Sequence, residues 1–152
     1  MRKAFIGIVA AGALSLGGLA AAQRPAQPQT VEVFKSPTCG CCANWVKHLE
    51  AAGFATRVTN VDDITEVKAK YGVPGRLQSC HTAVVGGYVV EGHVPAADLQ
   101  RLLTDKPAVA GVAVPGMPIG SPGMEVGTTV QPYDVLTFNK QGQTTVFASH
   151  GR

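Results

Sequence analysis

The sequence predicts an α/β fold of the α+β type, in which a mixed β-sheet carries helices on its faces in the order β-α-β-α-β-β-α. Three observations support this. Strand-like alternation at residues 31–34 gives way to helical spacing from residue 42. Two β-rich runs flank a Gly86-Gly87 turn, and from Lys106 onward the composition becomes rich in glycine and proline. Alternating strands and helices are typical of a sheet covered by helices.

The first strand and helix follow from local pattern. Residues 31–34 alternate and contain β-formers, which predicts a strand. Residues 42–52 place Trp45 and Leu49 on one apolar stripe, as in an amphipathic helix with a buried tryptophan. Gly53 stands where a left-handed C-terminal cap belongs.

The next elements are predicted by caps and turns. Residues 54–61 read as a second strand, and Asp62 and Asp63 cap a helix that runs to about Tyr71. Residues 82–90 form a hairpin around the glycine pair.

One more helix and a hairpin extension complete the predicted fold. Pro95 suits the first turn of a helix whose buried face carries Leu99, Leu102 and Leu103. We assign the main domain to residues 31–105, and we treat residues 106–152 as an appendage of the same domain. That appendage contains a Gly/Pro-rich loop and then a β-hairpin. A loop of this length is functional or disordered.

The N-terminus predicts export. Residues 1–22 combine Arg2 and Lys3 with an uncharged apolar run and the small residues Ala20 to Ala22, as in a cleavable signal peptide. Residues 23–30 are polar and proline-containing, which predicts a flexible leader. We therefore expect an exported protein.

The charge of the mature chain argues against two classes of partner. Removing 22 residues and two of the 13 basic side chains leaves 130 residues with 11 basic and 10 acidic side chains. That balance gives no basic nucleic-acid footprint. No later apolar run is long enough for a membrane span, so we expect neither nucleic-acid binding nor stable membrane insertion after cleavage.

Three cysteines lie between the first strand and the first helix. Cys39, Cys41 and Cys42 face the positive end of a helix dipole, which favours the thiolate form. Thiolate both attacks disulfides and binds metal. In a thioredoxin-like arrangement of this element order, the loop entering the third strand lies beside this one. That loop contains Cys80 and His81, so four sulfurs are expected to converge.

The cysteines admit more than one chemistry. A pair of structural disulfides suits an oxidising compartment, for example Cys39–Cys42 with Cys41–Cys80. Disulfides among three cysteines within four residues would stabilise the fold little, because a disulfide stabilises most when it joins distant segments. Three cysteines this close also cannot easily surround one tetrahedral zinc ion, whereas Cu(I) accepts crowded, bridging sulfurs. We favour multinuclear Cu(I) over zinc.

Several motifs together resemble one family. Residues 36–42, 79–82, 86–88, 91–95 and 115–124 are similar to the CopG-type periplasmic copper-resistance family, and the resemblance covers nearly all of the mature chain. It implies a thioredoxin-like fold and a role in periplasmic copper resistance, with cycling between Cu(I) and Cu(II) as one mode of action. It also implies a copper–thiolate cluster. The implied ligands are the four cysteines Cys39, Cys41, Cys42 and Cys80.

The histidines have a functional and a structural interpretation. His81 is a candidate ligand or neighbour of the cluster, against a loop histidine bonded to backbone. His93 is a candidate for orienting a ligand, against helix capping. We expect His48 to face solvent and His150 to be disordered near the terminus.

Two methionines in the Gly/Pro-rich loop are further candidates. Met117 and Met124 carry soft thioether donors suited to copper. Methionine more often serves packing, so we favour hydrophobic anchors that pin the loop to the domain.

Two other functions compete with copper binding. A thiol–disulfide oxidoreductase would use Cys39 as nucleophile and Cys42 as resolving cysteine. A disulfide-stapled module would dock a partner through residues 115–124. Under the copper interpretation, other periplasmic copper-handling proteins are the expected partners.

Overall fold

A computed structural model describes residues 29–152. The predicted signal peptide and most of the predicted leader lie outside the described residues. The strands are β1 (Thr30–Lys35), β2 (Ala55–Asn60), β3 (His81–Val85), β4 (Tyr88–Glu91), β5 (Gly111–Ala113), β6 (Tyr133–Phe138) and β7 (Thr144–His150). The helices are α1 (Gly40–Ala51), α2 (Ile64–Lys70) and α3 (Ala96–Asp105), with a single 3₁₀ turn at Gly75–Leu77.

The strands form one sheet in the order β2-β1-β3-β4-β5-β6-β7. β1 runs parallel to β2 and antiparallel to β3, which in turn pairs antiparallel with β4. These four strands and the three helices follow the predicted β-α-β-α-β-β-α order, so the predicted mixed, thioredoxin-like fold is confirmed.

The β6–β7 hairpin joins the sheet through a strand that the sequence did not reveal. β5 pairs parallel with β4 and antiparallel with β6. It has only three residues, too few for a visible alternation. A Cβ at Gly111 would clash with the carbonyl oxygen of Val89, its partner residue on β4. Only glycine therefore fits at this position of β5. The predicted hairpin therefore continues the central sheet.

Both faces of the sheet are covered by apolar side chains. On one face α1 and α3 pack on β1 and β3, with Trp45, Leu49, Leu99 and Leu102 fully buried. On the other face a smaller cluster, which includes Leu77 and Phe138, covers β4, β5 and β6. Truncating a buried tryptophan to alanine costs about 3–5 kcal/mol, which indicates that Trp45 holds α1 firmly against the sheet. The loop that precedes α1 is held in place with the helix.

The local signals mostly matched the observed element ends. Asp63 caps α2 by accepting the Thr65 N–H at 2.7 Å. α1 starts at Gly40, two residues before the predicted start, which places Cys41 and Cys42 inside its first turn and Cys39 at its N-cap. Within residues 29–152, no helix is both long and apolar enough to cross a membrane.

Candidate metal centre

Two loops meet at one end of the β1–β3 pair. In the antiparallel register of these strands, Lys35 at the end of β1 lies opposite His81 at the start of β3. The chain after Lys35 enters α1, and the residue before His81 is Cys80. The pairing therefore places the start of α1 beside Cys80.

The structure brings the four predicted sulfurs together. Cys39 occupies the N-cap position of α1, and Cys41 and Cys42 lie in its first turn. All four sulfurs lie within 4.8 Å of one another. The Sγ of Cys80 is 3.5 Å from that of Cys42 and 3.8 Å from that of Cys41. The expected convergence is observed, and the role of the four sulfurs as metal ligands stays a prediction.

Two of the four sulfurs are bonded to each other. Cys39 and Cys42 form a disulfide, whereas Cys41 and Cys80 are free thiols. This is half of the two-disulfide arrangement considered from the sequence, because the Cys41–Cys80 bond is not formed. Cys42 is completely buried and Cys39 is partly exposed, so an external thiol can reach the disulfide only at Cys39.

His93 aims a lone pair at the free thiol of Cys80. Its Nδ1 lies 2.8 Å from the carbonyl oxygen of Pro122. A carbonyl only accepts, so Nδ1 carries the hydrogen and Nε2 is unprotonated in the neutral ring. Nε2 is 3.1 Å from the Cys80 Sγ. Metal-binding histidines are commonly oriented by such an N–H···O=C bond.

His81 lies under the same thiol and has an unsatisfied nitrogen. Its Nδ1 is 3.4 Å from the Cys80 Sγ, and its ring contacts Trp45 at 4.3 Å between centroids. The residue is fully buried, yet its Nε2 has no hydrogen-bond partner among the described residues. The role of His81 as a ligand or neighbour of the cluster stays a prediction.

Burial sets the protonation of the three groups. It lowers the pKa of His81 well below the usual histidine value, and any positive charge on the neighbouring His93 or Lys68 acts in the same direction. Burial also lowers the pKa of His93. Burial, together with the neighbouring Cys41, raises the pKa of Cys80 to about 12. Both imidazoles are therefore neutral near pH 7, and a metal ion that binds Cys80 must displace its proton.

The Gly/Pro-rich loop closes over the start of α1. A Cβ on Gly123 would lie 2.7 Å from the carbonyl oxygen of Cys41, and its φ of +87° also favours glycine. Met124 is partly buried, but Met117 is 52% exposed, which is at odds with the anchor role favoured for it.

A second polar cluster lies behind the Cys80 loop, and sequence reasoning missed it. The Glu91 carboxylate accepts the Ser79 N–H at 2.7 Å and the Thr82 hydroxyl at 2.6 Å. Lys68 pairs with it at 2.5 Å, with both side chains almost completely buried. The sequence signal that could have revealed this cluster is Glu91, a carboxylate directly after the apolar run 88–90. A carboxylate that is buried with such a run needs a buried partner.

Two histidine predictions were wrong. His48 is half-buried, and its Nε2 accepts the Ala96 N–H at 3.0 Å, which satisfies a free donor at the start of α3. His150 is ordered in β7, where its Nε2 lies 2.6 Å from Asp98 and its ring stacks on Tyr133. Neither contact is local in sequence.

Solved structures resemble this chain over most of its length. One, described as "Copper resistance protein copG- Form 2", is 45% identical, with a TM-score of 0.78, over 82% of this chain and 100% of its own. A second, described as Form 1, has the same identity and TM-score over 83% of this chain and 100% of its own. The family described as "Protein of unknown function, DUF411" matches residues 77–124. No curated protein gives a significant match.

Proposed function

Because the chain belongs to the family of the copper resistance protein CopG, we propose that it binds copper and contributes to copper resistance. The observation that carries this proposal is the set of four sulfurs, from two loops, within 4.8 Å of one another. Two neutral imidazoles border the same sulfurs, so the group offers soft donors with little competing charge.

The donor set fits Cu(I) better than zinc. Soft thiolates select Cu(I), which tolerates low coordination and bridging sulfur. Three of the sulfurs come from the N-cap and first turn of one helix. They therefore share one side of any single ion, whereas structural zinc needs ligands spread over a tetrahedron. A multinuclear Cu(I) cluster held by Cys39, Cys41, Cys42 and Cys80 is the form we propose for the fully reduced protein.

The disulfide offers a source and a sink of electrons beside the copper ions. Closing the bond from the dithiol releases two electrons and two protons. Two electrons reduce two Cu(II) ions to Cu(I), and reopening the bond consumes two electrons from an external dithiol. The observation in support is that Cys39–Cys42 is closed while Cys41 and Cys80 remain free next to it. Copper redox cycling is the activity this arrangement suits.

Export to the periplasm is part of the proposal. It is supported by the charge and apolar pattern of residues 1–22. Other periplasmic copper-handling proteins are the proposed partners. Intact-mass measurement of periplasmic material should give a chain that begins at Gln23. A mass that retains residues 1–22, or one that includes a lipid, would contradict release into the periplasm.

Cu(I) titration tests the proposed cargo. The reduced apoprotein is titrated anaerobically with Cu(I) against a chromophoric chelator, and Zn(II) is then added in excess. We expect more than one Cu(I) per chain, held against the chelator and not displaced by zinc. Failure to compete with the chelator, or preferential uptake of zinc, would reject the cluster.

The thiol–disulfide oxidoreductase remains the competing function, because a closed Cys39–Cys42 disulfide is what such an enzyme contains. In thioredoxin-like enzymes the loop before the third strand carries a cis-proline that holds peptide substrates, whereas here this loop carries Cys80 and His81, and no peptide bond of the described residues is cis. We therefore expect slow reduction of insulin compared with thioredoxin at equal concentration. Comparable turnover would favour the oxidoreductase.

A further inference from the structure

The first turn of α3 receives its cap from another helix. α3 begins at Ala96, and its N-cap residue Pro95 makes no side-chain capping bond. Ala96 is almost completely buried, so its N–H relies on a protein acceptor. That acceptor is the Nε2 of His48, from the last turn of α1, at 3.0 Å. The start of α3 therefore depends on one imidazole nitrogen that belongs to α1.

This bond requires the neutral form of His48. An amide N–H only donates, so Nε2 is the unprotonated nitrogen and Nδ1 carries the hydrogen. A proton on Nε2 would set one N–H against another, and a cation at this place would face the positive N-terminal end of α3. Burial lowers the pKa of His48, and the negative charge of Glu125 partly offsets that effect. The bond is therefore present at neutral pH and is lost as the pH falls below the usual histidine range.

A partner for the protonated ring lies in the Gly/Pro-rich loop. Glu125 is the charged group that acts on His48. Its Oε2 accepts the Gly123 N–H at 2.9 Å, which leaves Oε1 for a second donor. Gly123 lies directly against the backbone of Cys41 and Trp45 in α1. A bond from His48 to Glu125 would therefore join the loop to the helix that it covers.

We propose that His48 is an acid-sensitive switch, which caps α3 when it is neutral and pairs with Glu125 when it is protonated. In the neutral state the ring joins α1 to α3. In the protonated state it joins α1 to the Gly/Pro-rich loop, and the first N–H of α3 is released. This inference goes beyond copper binding, because it concerns residues outside the four-cysteine cluster and applies to the copper-free protein.

The rearrangement stays local, because another contact holds the chain that enters α3. The Nε1 of Trp45 donates to the carbonyl oxygen of Val94 at 2.9 Å, two residues before Ala96. On α1 itself, no charged residue lies three or four positions from His48, where it would share the same helix face. Protonation therefore releases the first turn of α3 without unfastening the segment before it.

The other titratable groups at this end of α3 have partners of their own. Asp98, in the first turn of α3, lies 2.6 Å from the Nε2 of His150 in β7, and that ring stacks on Tyr133 of β6. His93, in the loop before α3, donates its Nδ1–H to a backbone carbonyl. The contact between Asp98 and His150 persists in acid, because a protonated ring still donates to a carboxylate. A proton therefore breaks the His48 contact and leaves the Asp98 contact in place.

Amide hydrogen exchange measured by NMR tests the switch in the full mature chain, free of copper and with its disulfide closed. The His48 ring and the Ala96 and Gly123 amides are followed from about pH 8 to about pH 4.5, with protection taken relative to the unstructured rate at each pH. We expect His48 to titrate below the usual histidine value. Ala96 protection should fall with the same midpoint by about 2- to 30-fold, as for the loss of an N-cap, whereas Gly123 keeps its protection.

Three variants assign the two partners of the ring. His48→Gln keeps an acceptor near the Nε2 position and cannot take up a proton, so Ala96 protection should no longer depend on pH. Glu125→Gln removes the charge that favours the protonated ring, and should lower the His48 midpoint by about 0.2–0.7 pH unit. His150→Gln is the matched control, because it changes another histidine at the start of α3, and it should leave the Ala96 titration as in wild type.

Each readout can contradict the proposal. Ala96 protection that stays constant while His48 titrates in the wild-type protein overturns the switch, whether or not the variants fold. The same loss of protection in His48→Gln assigns the change to another group and also overturns it. An unchanged or higher His48 midpoint in Glu125→Gln removes the loop as partner of the protonated ring, and the proposed exchange of partners fails.

Discussion

Strand β3 carries a buried polar cluster on each of its two faces. The two clusters differ in how completely their polar atoms are paired. Successive strand residues point to opposite faces. His81 faces α1, where its ring contacts Trp45 and its Nδ1 faces the Cys80 thiol. Thr82 faces α2, where its hydroxyl lies 3.1 Å from the Lys68 ammonium. The two clusters are one residue apart in the chain.

The cluster on the α2 side is closed. Lys68 donates to Thr82 and Glu91, and Glu91 also accepts from Thr82 and from the Ser79 N–H. Each side chain has a partner of the matching type. A fully connected buried network of this kind fixes a local structure. Here it fixes the backbone immediately before Cys80.

The cluster on the α1 side is open. His81 has an unpaired Nε2, and Cys41 and Cys80 keep free thiols. An unpaired buried polar atom costs about 1–3 kcal/mol. A buried cluster in which every polar side chain has a partner has a structural role. A buried cluster that keeps an unpaired nitrogen and free thiols is a place where a ligand can bind.

The largest predicted effect concerns stability and comes from opening the closed cluster. Glu91→Leu leaves the Lys68 ammonium buried without its carboxylate, so we expect a loss of about 3–5 kcal/mol in the free energy of unfolding. Urea denaturation of the apoprotein measures it. The matched control is Lys68→Met/Glu91→Leu, which removes both charges and should recover more than half of the loss. A loss below about 1 kcal/mol for Glu91→Leu would contradict the closed-network interpretation.

A smaller change in stability is predicted when the open cluster is altered. His81→Leu removes the unpaired nitrogen and keeps an apolar contact with Trp45, so the free energy of unfolding should stay close to that of wild type or rise by up to about 3 kcal/mol. The same variant should hold copper more weakly in the reduced state. If His81→Leu destabilises the apoprotein as strongly as Glu91→Leu does, the two clusters do not differ as described.

The smallest effect is expected in the Gly/Pro-rich loop. Met117→Leu/Met124→Leu keeps side-chain volume and apolarity, so stability should change by less than about 1.5 kcal/mol and copper should remain bound. Stoichiometry of the reduced, reconstituted variant measures this. Loss of one copper ion from a folded variant would add the thioethers to the ligand set and extend the open cluster into the loop.

The fold followed from the sequence where the signals were local. The Gly86-Gly87 turn, the Asp63 cap and the apolar stripe containing Trp45 are readable within a few residues, and each matched the observed element. β5 was not readable, because a three-residue strand has no period and is defined only by its neighbours. The pairing of β4 with β5 is a contact between distant segments.

The candidate site was predictable in part for the same reason. The predicted element order alone places Cys80 beside the first strand–helix loop. The disulfide pairing was one of several alternatives, and sequence spacing could not choose among them. Lys68 was missed because its partner, Glu91, comes from another element, and a lysine on a short polar helix gives no sign of burial.

Replacement of Cys80 tests the central claim most directly. Cys80→Ser removes one soft donor at nearly unchanged size, and only the fold brings this residue to the other three cysteines. The reduced variant and wild type are titrated anaerobically with Cu(I) against a chelator, with circular dichroism as the folding control. The account predicts fewer copper ions per chain or a much weaker affinity in a folded protein. Wild-type stoichiometry and affinity in Cys80→Ser would contradict a shared cluster and confine copper to residues 39–42.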